Sequence, residues 1–238
     1  MDLLLISNGK MPGKGMLEYA LDAIKAQVQK TGVKRYLLIP YAVVSSSYDT
    51  RVKSLQNTMA KAGCEVVGIH QFDDPVKAIE EAEGIMVSGG NTWVLNKMLH
   101  DNNLITPIRK AVLNRNIPYI GWSAGSNIAC PSIRTTNDMP IVSSAIIDAL
   151  ALTSLQINPH YIDATISGHM GETRDDRINE FMVVNPSEKV TAIPEGTWIH
   201  QTETETTYHS FSSKPMKVFQ FGHETQILED KSDLSFLL

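Results

Sequence analysis

The five residues Gly121-Trp122-Ser123-Ala124-Gly125 place a serine two positions from a glycine on either side. There an apolar run, Pro118–Trp122, gives way to a helical pattern over Ser123–Cys130. A G-x-S-x-G pattern at a strand-to-helix turn lifts the serine Oγ clear of the sheet. It also turns the next N–H, that of Ala124, toward whatever that oxygen attacks. The chemistry this suits is nucleophilic attack on a carbonyl, with Ala124 as one oxyanion donor. The same five residues also suit a tightly packed turn with no chemistry, because a serine hydroxyl is a weak nucleophile until a base takes its proton.

Seven histidines are available for that role. His160 stands out, in Ile157-Asn158-Pro159-His160, just after the strand-like run Leu155–Asn158. Strands of one parallel sheet end on the same side, and ligands of open α/β sheets bind outside those carboxyl ends. His160 and Ser123 are therefore expected to meet at that edge. The base needs an acid on its other ring nitrogen. Glu195 follows the run Val190–Ile193 and so has the same placement, while Asp163, three residues after the histidine, is its rival. The order Ser-His-Glu differs from the Ser-Asp/Glu-His order of the α/β-hydrolases, so the elbow is expected on another fold. Gly89-Gly90 also follows a strand-like run. Paired glycines let the backbone come close to a ligand, and the Gly90 N–H is the expected second oxyanion donor.

Other chemistries find less support. Gly89-Gly90-Asn91-Thr92 lacks the spacing of a dinucleotide loop. No Cys/His cluster or H-E-x-x-H pattern is present, so neither a metal nor another cofactor is expected. Cys64 and Cys130 match no metal or redox spacing and are expected to be buried, reduced thiols. A net charge of −5 argues against nucleic acid and anionic membranes as partners. No run approaches the length of a membrane span and no secretory signal is visible, which points to a cytoplasmic protein.

The elements that must position these residues alternate. Strand-like runs at Leu3–Ser7, Arg35–Pro40, Glu65–Ile69, Gly84–Ser88 and Pro118–Trp122 alternate with helical patterns at Met16–Lys30, Thr50–Ala62, Asp74–Ala82, Val94–His100 and Thr106–Arg115. This predicts an α/β fold with a mostly parallel sheet and helices on both faces, in one domain over 1–238. After Pro131 the rhythm breaks. Arg174–Val183 reads as a helix, Gln201–Ser213 as a polar, threonine-rich stretch, and Lys217–Phe221 and Gln226–Leu228 as strands added antiparallel to the sheet.

With these residues in hand, the chain resembles the peptidase E family of α-aspartyl dipeptidases. The likeness lies in Leu3–Asn8 (LLLISN), Gly89–Thr92 (GGNT), Tyr119–Asn127 (YIGWSAGSN), Ala129–Pro140 (ACPSIRTTNDMP), Leu155–His160 (LQINPH), Gly171–Arg177 (GETRDDR) and Ile193–Trp198 (IPEGTW). The resemblance implies a flavodoxin-like three-layer sandwich related to class I glutamine amidotransferases. It also implies a Ser-His-Glu triad of Ser123, His160 and Glu195, and hydrolysis of dipeptides with N-terminal aspartate. The related amidotransferases use cysteine as nucleophile and carry their acid two residues after the histidine. Here the nucleophile is serine and position 162 is Ile162, and both departures favour the peptidase branch. Such a substrate presents a carboxylate and an ammonium beside the scissile bond. Arg174 is the candidate for the first, since a guanidinium grips a carboxylate with two parallel bonds, and Asp138 is the candidate for the second. The chain is expected to act on a small peptide as a monomer or homodimer. The alternatives are a cyanophycinase-like β-aspartyl peptidase and a catalytically silent binding protein on the same fold.

Overall fold

The structure, a computed structural model, describes residues 1–163 and 170–238. Its first half is the expected alternation. Strands β1 (Asp2–Ile6), β2 (Arg35–Ile39), β3 (Glu65–Gly68), β4 (Gly84–Val87) and β5 (Tyr119–Trp122) pair parallel in the spatial order β3-β2-β4-β5-β1. All but the edge strand β3 are buried along nearly their whole length. A strand covered on both faces reads as an unbroken apolar run for that reason. Alternation along β1 shows both coverings. Leu4 and Ile6 pack against Ile24 and Val28 of α1 (Leu21–Thr31) and Leu55 and Met59 of α2 (Tyr48–Ala62). Leu3 and Leu5 belong to the core on the other face. That core also takes in Ile79 of α3 (Pro75–Glu80), Leu95 and Leu99 of α4 (Thr92–Asp101) and Ile108 of α5 (Ile105–Arg109). The three-layer α/β arrangement follows from this two-faced burial.

Local signals set several helix starts. Ser47, Asp74 and Asn91 each accept a bond from the backbone N–H three residues on and so satisfy one of the free amides of a first turn. The expected helix over Thr106–Arg115 is instead α5 followed by a π-helical turn at Lys110–Asn114.

The second half departs from expectation. The short helix α6 (Ala124–Asn127) covers only the start of the helical pattern predicted through Cys130. The polar, threonine-rich stretch Gln201–Ser213 holds strand. Strands β8 (Thr197–Thr202) and β9 (Thr206–Ser210) extend the main sheet antiparallel, β8 lying against β1. The predicted late strands β10 (Met216–Gln220) and β11 (Gln226–Leu228) do not join that sheet. They build a second one, ordered β11-β10-β7-β6, with β6 (Gln156–Tyr161) and β7 (Lys189–Pro194). Helix α7 (Arg174–Val184) packs on this sheet through Ile178 and Met182, which meet Tyr161, Val190 and Phe219. The chain passes from the second sheet to the first at Glu195-Gly196, between β7 and β8.

Candidate active site

The elbow has the geometry its residues suggest. Ser123, between β5 and α6, holds φ 53° and ψ −114°, a conformation costly for a residue with a side chain. The flanking glycines are required by space. A Cβ on Gly121 would lie 2.2 Å from the Gly125 carbonyl oxygen, and one on Gly125 would lie 2.0 Å from that of Val87. The Ser123 N–H is held by the Ile6 carbonyl at 2.9 Å, and Ser126 Oγ donates to the same oxygen at 2.7 Å.

Ser123 Oγ lies 2.9 Å from His160 Nε2, and His160 Nδ1 lies 2.7 Å from Glu195 Oε1. A carboxylate only accepts, so Nδ1 carries the ring proton and Nε2 is left to accept from the serine hydroxyl. The three side chains thus form one hydrogen-bonded line. They do not meet as strand ends of one sheet, as the sequence suggested. Ser123 ends a strand of the first sheet, whereas His160 lies within β6 and Glu195 follows β7, both in the second. The β6–β7 pairing shifts register between Asn158 and Tyr161, and His160 itself has φ 52°. Asp163, the rival acid, accepts from Lys217 Nζ at 2.9 Å and is not on the imidazole.

Gly90 lies beside this line. A Cβ on the preceding Gly89 would come 2.9 Å from Ser123 Cβ, and one on Gly90, at φ 148°, would sit 2.1 Å from the Ala42 oxygen. Among the described residues, neither the Gly90 nor the Ala124 N–H has an acceptor, whereas the neighbouring Asn91 N–H is taken by Ala42.

Asp138 and Arg174 line one cleft of about 350 Å³, together with Thr136, Asn137, Asn158 and Arg177. The cleft adjoins the His160 strand, because Asn137 Nδ2 donates to the Pro159 carbonyl at 2.7 Å and Asn158 Nδ2 to Asn137 Oδ1 at 2.7 Å. Asp138 is anchored through Oδ2, which accepts from the Thr92 N–H at 2.7 Å, from its hydroxyl at 2.6 Å and from Thr136 at 3.2 Å. Its Oδ1 accepts from none of the described residues. Arg174, the first residue of α7, has no hydrogen-bonded or ionic partner among them. Burial, and then the nearby Arg177, hold its guanidinium below the usual arginine range, though far from losing its charge. Arg177 and Asn158 were not singled out in the sequence. A second arginine one helical turn beyond Arg174 is the signal that could have marked the first of them. Among the described residues no three His, Cys, Asp or Glu side chains cluster as a metal would need, and no helix is long and apolar enough to cross a membrane.

A hydroxyl, imidazole and carboxylate in line, beside two backbone amides without an acceptor among the described residues, can carry out acyl transfer to water. Comparisons with known proteins agree with that class. The family model described as peptidase family S51 matches residues 3–209. Curated proteins named peptidase E, from Shigella flexneri and from Escherichia coli O6:K15:H31, are each 45% identical over 229 residues, covering 96% of this chain and 98% of theirs. The chain belongs to peptidase family S51, a family of peptide-bond hydrolases. In fold, it is similar to a peptidase from an acI-B1 Actinobacterium, with a TM-score of 0.69 at 16% identity over 99% of this chain and 96% of the other.

Proposed function

We propose that this chain is a serine dipeptidase that hydrolyses dipeptides with N-terminal aspartate through Ser123, His160 and Glu195. The observation that carries the reading is the unbroken line from Ser123 Oγ through the imidazole to Glu195, with spacings of 2.9 and 2.7 Å. His160 Nε2 takes the serine proton as Oγ attacks the carbonyl of the Asp–X bond. Charge then develops on that oxygen, and the Gly90 and Ala124 amides stabilise it there. Glu195 holds the ring tautomer and stabilises the imidazolium as it forms. The imidazolium returns its proton to the leaving amine, the bond breaks, and water, deprotonated by the same nitrogen, releases aspartate from the acyl-enzyme.

The cleft supports the aspartate preference. Arg174 brings a half-buried cation with no partner among the described residues, suited to the substrate β-carboxylate. Asp138 offers its remaining oxygen to the α-ammonium. Cys64 and Cys130 are buried and unpaired, with burial pushing their thiols up to about 11 and about 12. Neither serves as a nucleophile, since the thiolate is the reactive form, and free thiols suit a cytoplasmic setting. Steady-state hydrolysis of Asp-Leu against Asn-Leu, Glu-Leu and β-Asp-Leu tests the reading. Asp-Leu is expected to have the highest kcat/KM. Preference for β-Asp-Leu would move the assignment to a β-aspartyl peptidase, and no hydrolysis of any of the four would favour a binding protein.

A further inference from the structure

The end of β1 divides its bonds: Ile6, Ser7 and Asn8 each hold a residue at or next to a different member of the Ser-His-Glu line. The Ile6 carbonyl accepts from the Ser123 N–H at 2.9 Å. Ser7 is fully buried. Its Oγ accepts from the His160 N–H at 2.9 Å and donates to the Ile193 carbonyl at 2.9 Å, two residues before Glu195. Asn8 Oδ1 accepts from the Gly196 N–H at 2.8 Å, fixing the turn just after Glu195. Tyr19 OH orients that amide by donating to the same oxygen at 2.7 Å.

These bonds matter because the line crosses from one sheet to another. Ser123 sits at the end of a strand of the β1 sheet and His160 within the β6–β7 sheet, so no shared ladder sets their separation. His160 is also at a positive φ, which persists only where surroundings fix it. The Ser7 hydroxyl holds one side of that backbone, the His160 amide, together with the β7 carbonyl, while Asn137 Nδ2 holds the Pro159 carbonyl on the other side of the same peptide.

We infer that Ser7 is a positioning residue of the active site, acting through the main chain of His160 and of the strand leading to Glu195, with Asn8 completing the brace at Gly196. The inference rests on the Ser-His-Glu reading above. Removing the Ser7 hydroxyl takes away the acceptor of the His160 N–H and a donor to the Ile193 carbonyl and lets the imidazole drift. A drift of about 1 Å costs on the order of 10²-fold in rate.

The test is Ser7→Ala in the full chain, assayed on Asp-Leu, with Ser123→Ala alongside and the low-field proton resonance of His160 Nδ1–H as a second readout. The expected result is a fall in kcat on the order of 10²-fold, little change in KM, and a shifted or lost resonance. If Ser7→Ala does not fold, Ser7→Cys carries the test, since a thiol fills the site but bonds weakly, and the same changes are expected at smaller size. Wild-type kcat and an unmoved resonance in the folded variant would overturn the inference while Ser123→Ala stays inactive. Activity retained by Ser123→Ala would instead overturn the underlying reading, whatever Ser7 does.

Discussion

Ser123 Oγ and His160 Nε2 lie 2.9 Å apart although they belong to different sheets, and both residues hold a positive φ, 53° and 52°. Two costly backbone conformations on either side of one hydrogen bond mark the place where folding is constrained by chemistry. The glycines around Ser123 and the Ser7 brace behind His160 are what make those conformations sustainable.

Arg174 has no ionic partner of its own among the described residues, so its replacement removes a charge without stranding an opposite one. Arg174→Met is expected to lower kcat/KM for Asp-Leu by roughly 10²-fold, about 3 kcal/mol, as the charge-assisted bonds are lost. The preference for Asp-Leu over Asn-Leu is expected to shrink in step. Reduced activity with that preference intact would show that another residue reads the side chain.

Asp138 has two separable tasks. Asp138→Asn keeps an oxygen for the Thr92 N–H and removes the charge. It is expected to lose at least roughly 10-fold in kcat/KM with stability changed by less than about 0.5 kcal/mol. Asp138→Ala also leaves the Thr92 N–H and hydroxyl at the start of α4 without their acceptor and is expected to cost about 1 kcal/mol more in urea unfolding. If the Asn variant matches wild type in kcat/KM, Asp138 serves only to anchor the start of α4.

Much of this was legible in the sequence because the relevant signals are local. The parallel core follows from apolar runs at Leu3–Ile6 or Ile85–Val87 that are covered on both faces, and the elbow from small residues around Ser123. What was not legible depends on partners distant in sequence. Gln201 and Thr206 are polar yet buried, so much of β8 and β9 reads only as a polar, threonine-rich stretch although its burial alternates with period two. Nothing local tells β10 and β11 which of two sheets to join. Ser7 appears in sequence only as the polar end of a strand, because its bonds reach residues 153 and 186 positions away.

Asp2 links stability to pH. Burial alone would raise its pKa, but hydrogen bonds from His200, Lys30 and Gln27 outweigh that and bring it down to about 2. A folded pKa below the unfolded value of 3.8 gives stability that is fully present above it and lost as pH falls toward the folded value. Asp2→Asn is therefore expected to be roughly 1–2 kcal/mol less stable than wild type at neutral pH. The gap in urea midpoint should close between about pH 4 and about pH 2. A gap that is constant across that range would show that the charge of Asp2 contributes nothing.

The most direct measurement is kcat/KM for Asp-Leu in wild type and in Ser123→Ala, with folding of both verified by circular dichroism and urea midpoint. The expected result is a loss on the order of 10⁴- to 10⁶-fold with the midpoint unchanged. A folded Ser123→Ala enzyme that keeps a substantial share of wild-type turnover would contradict the assignment of Ser123 as the nucleophile.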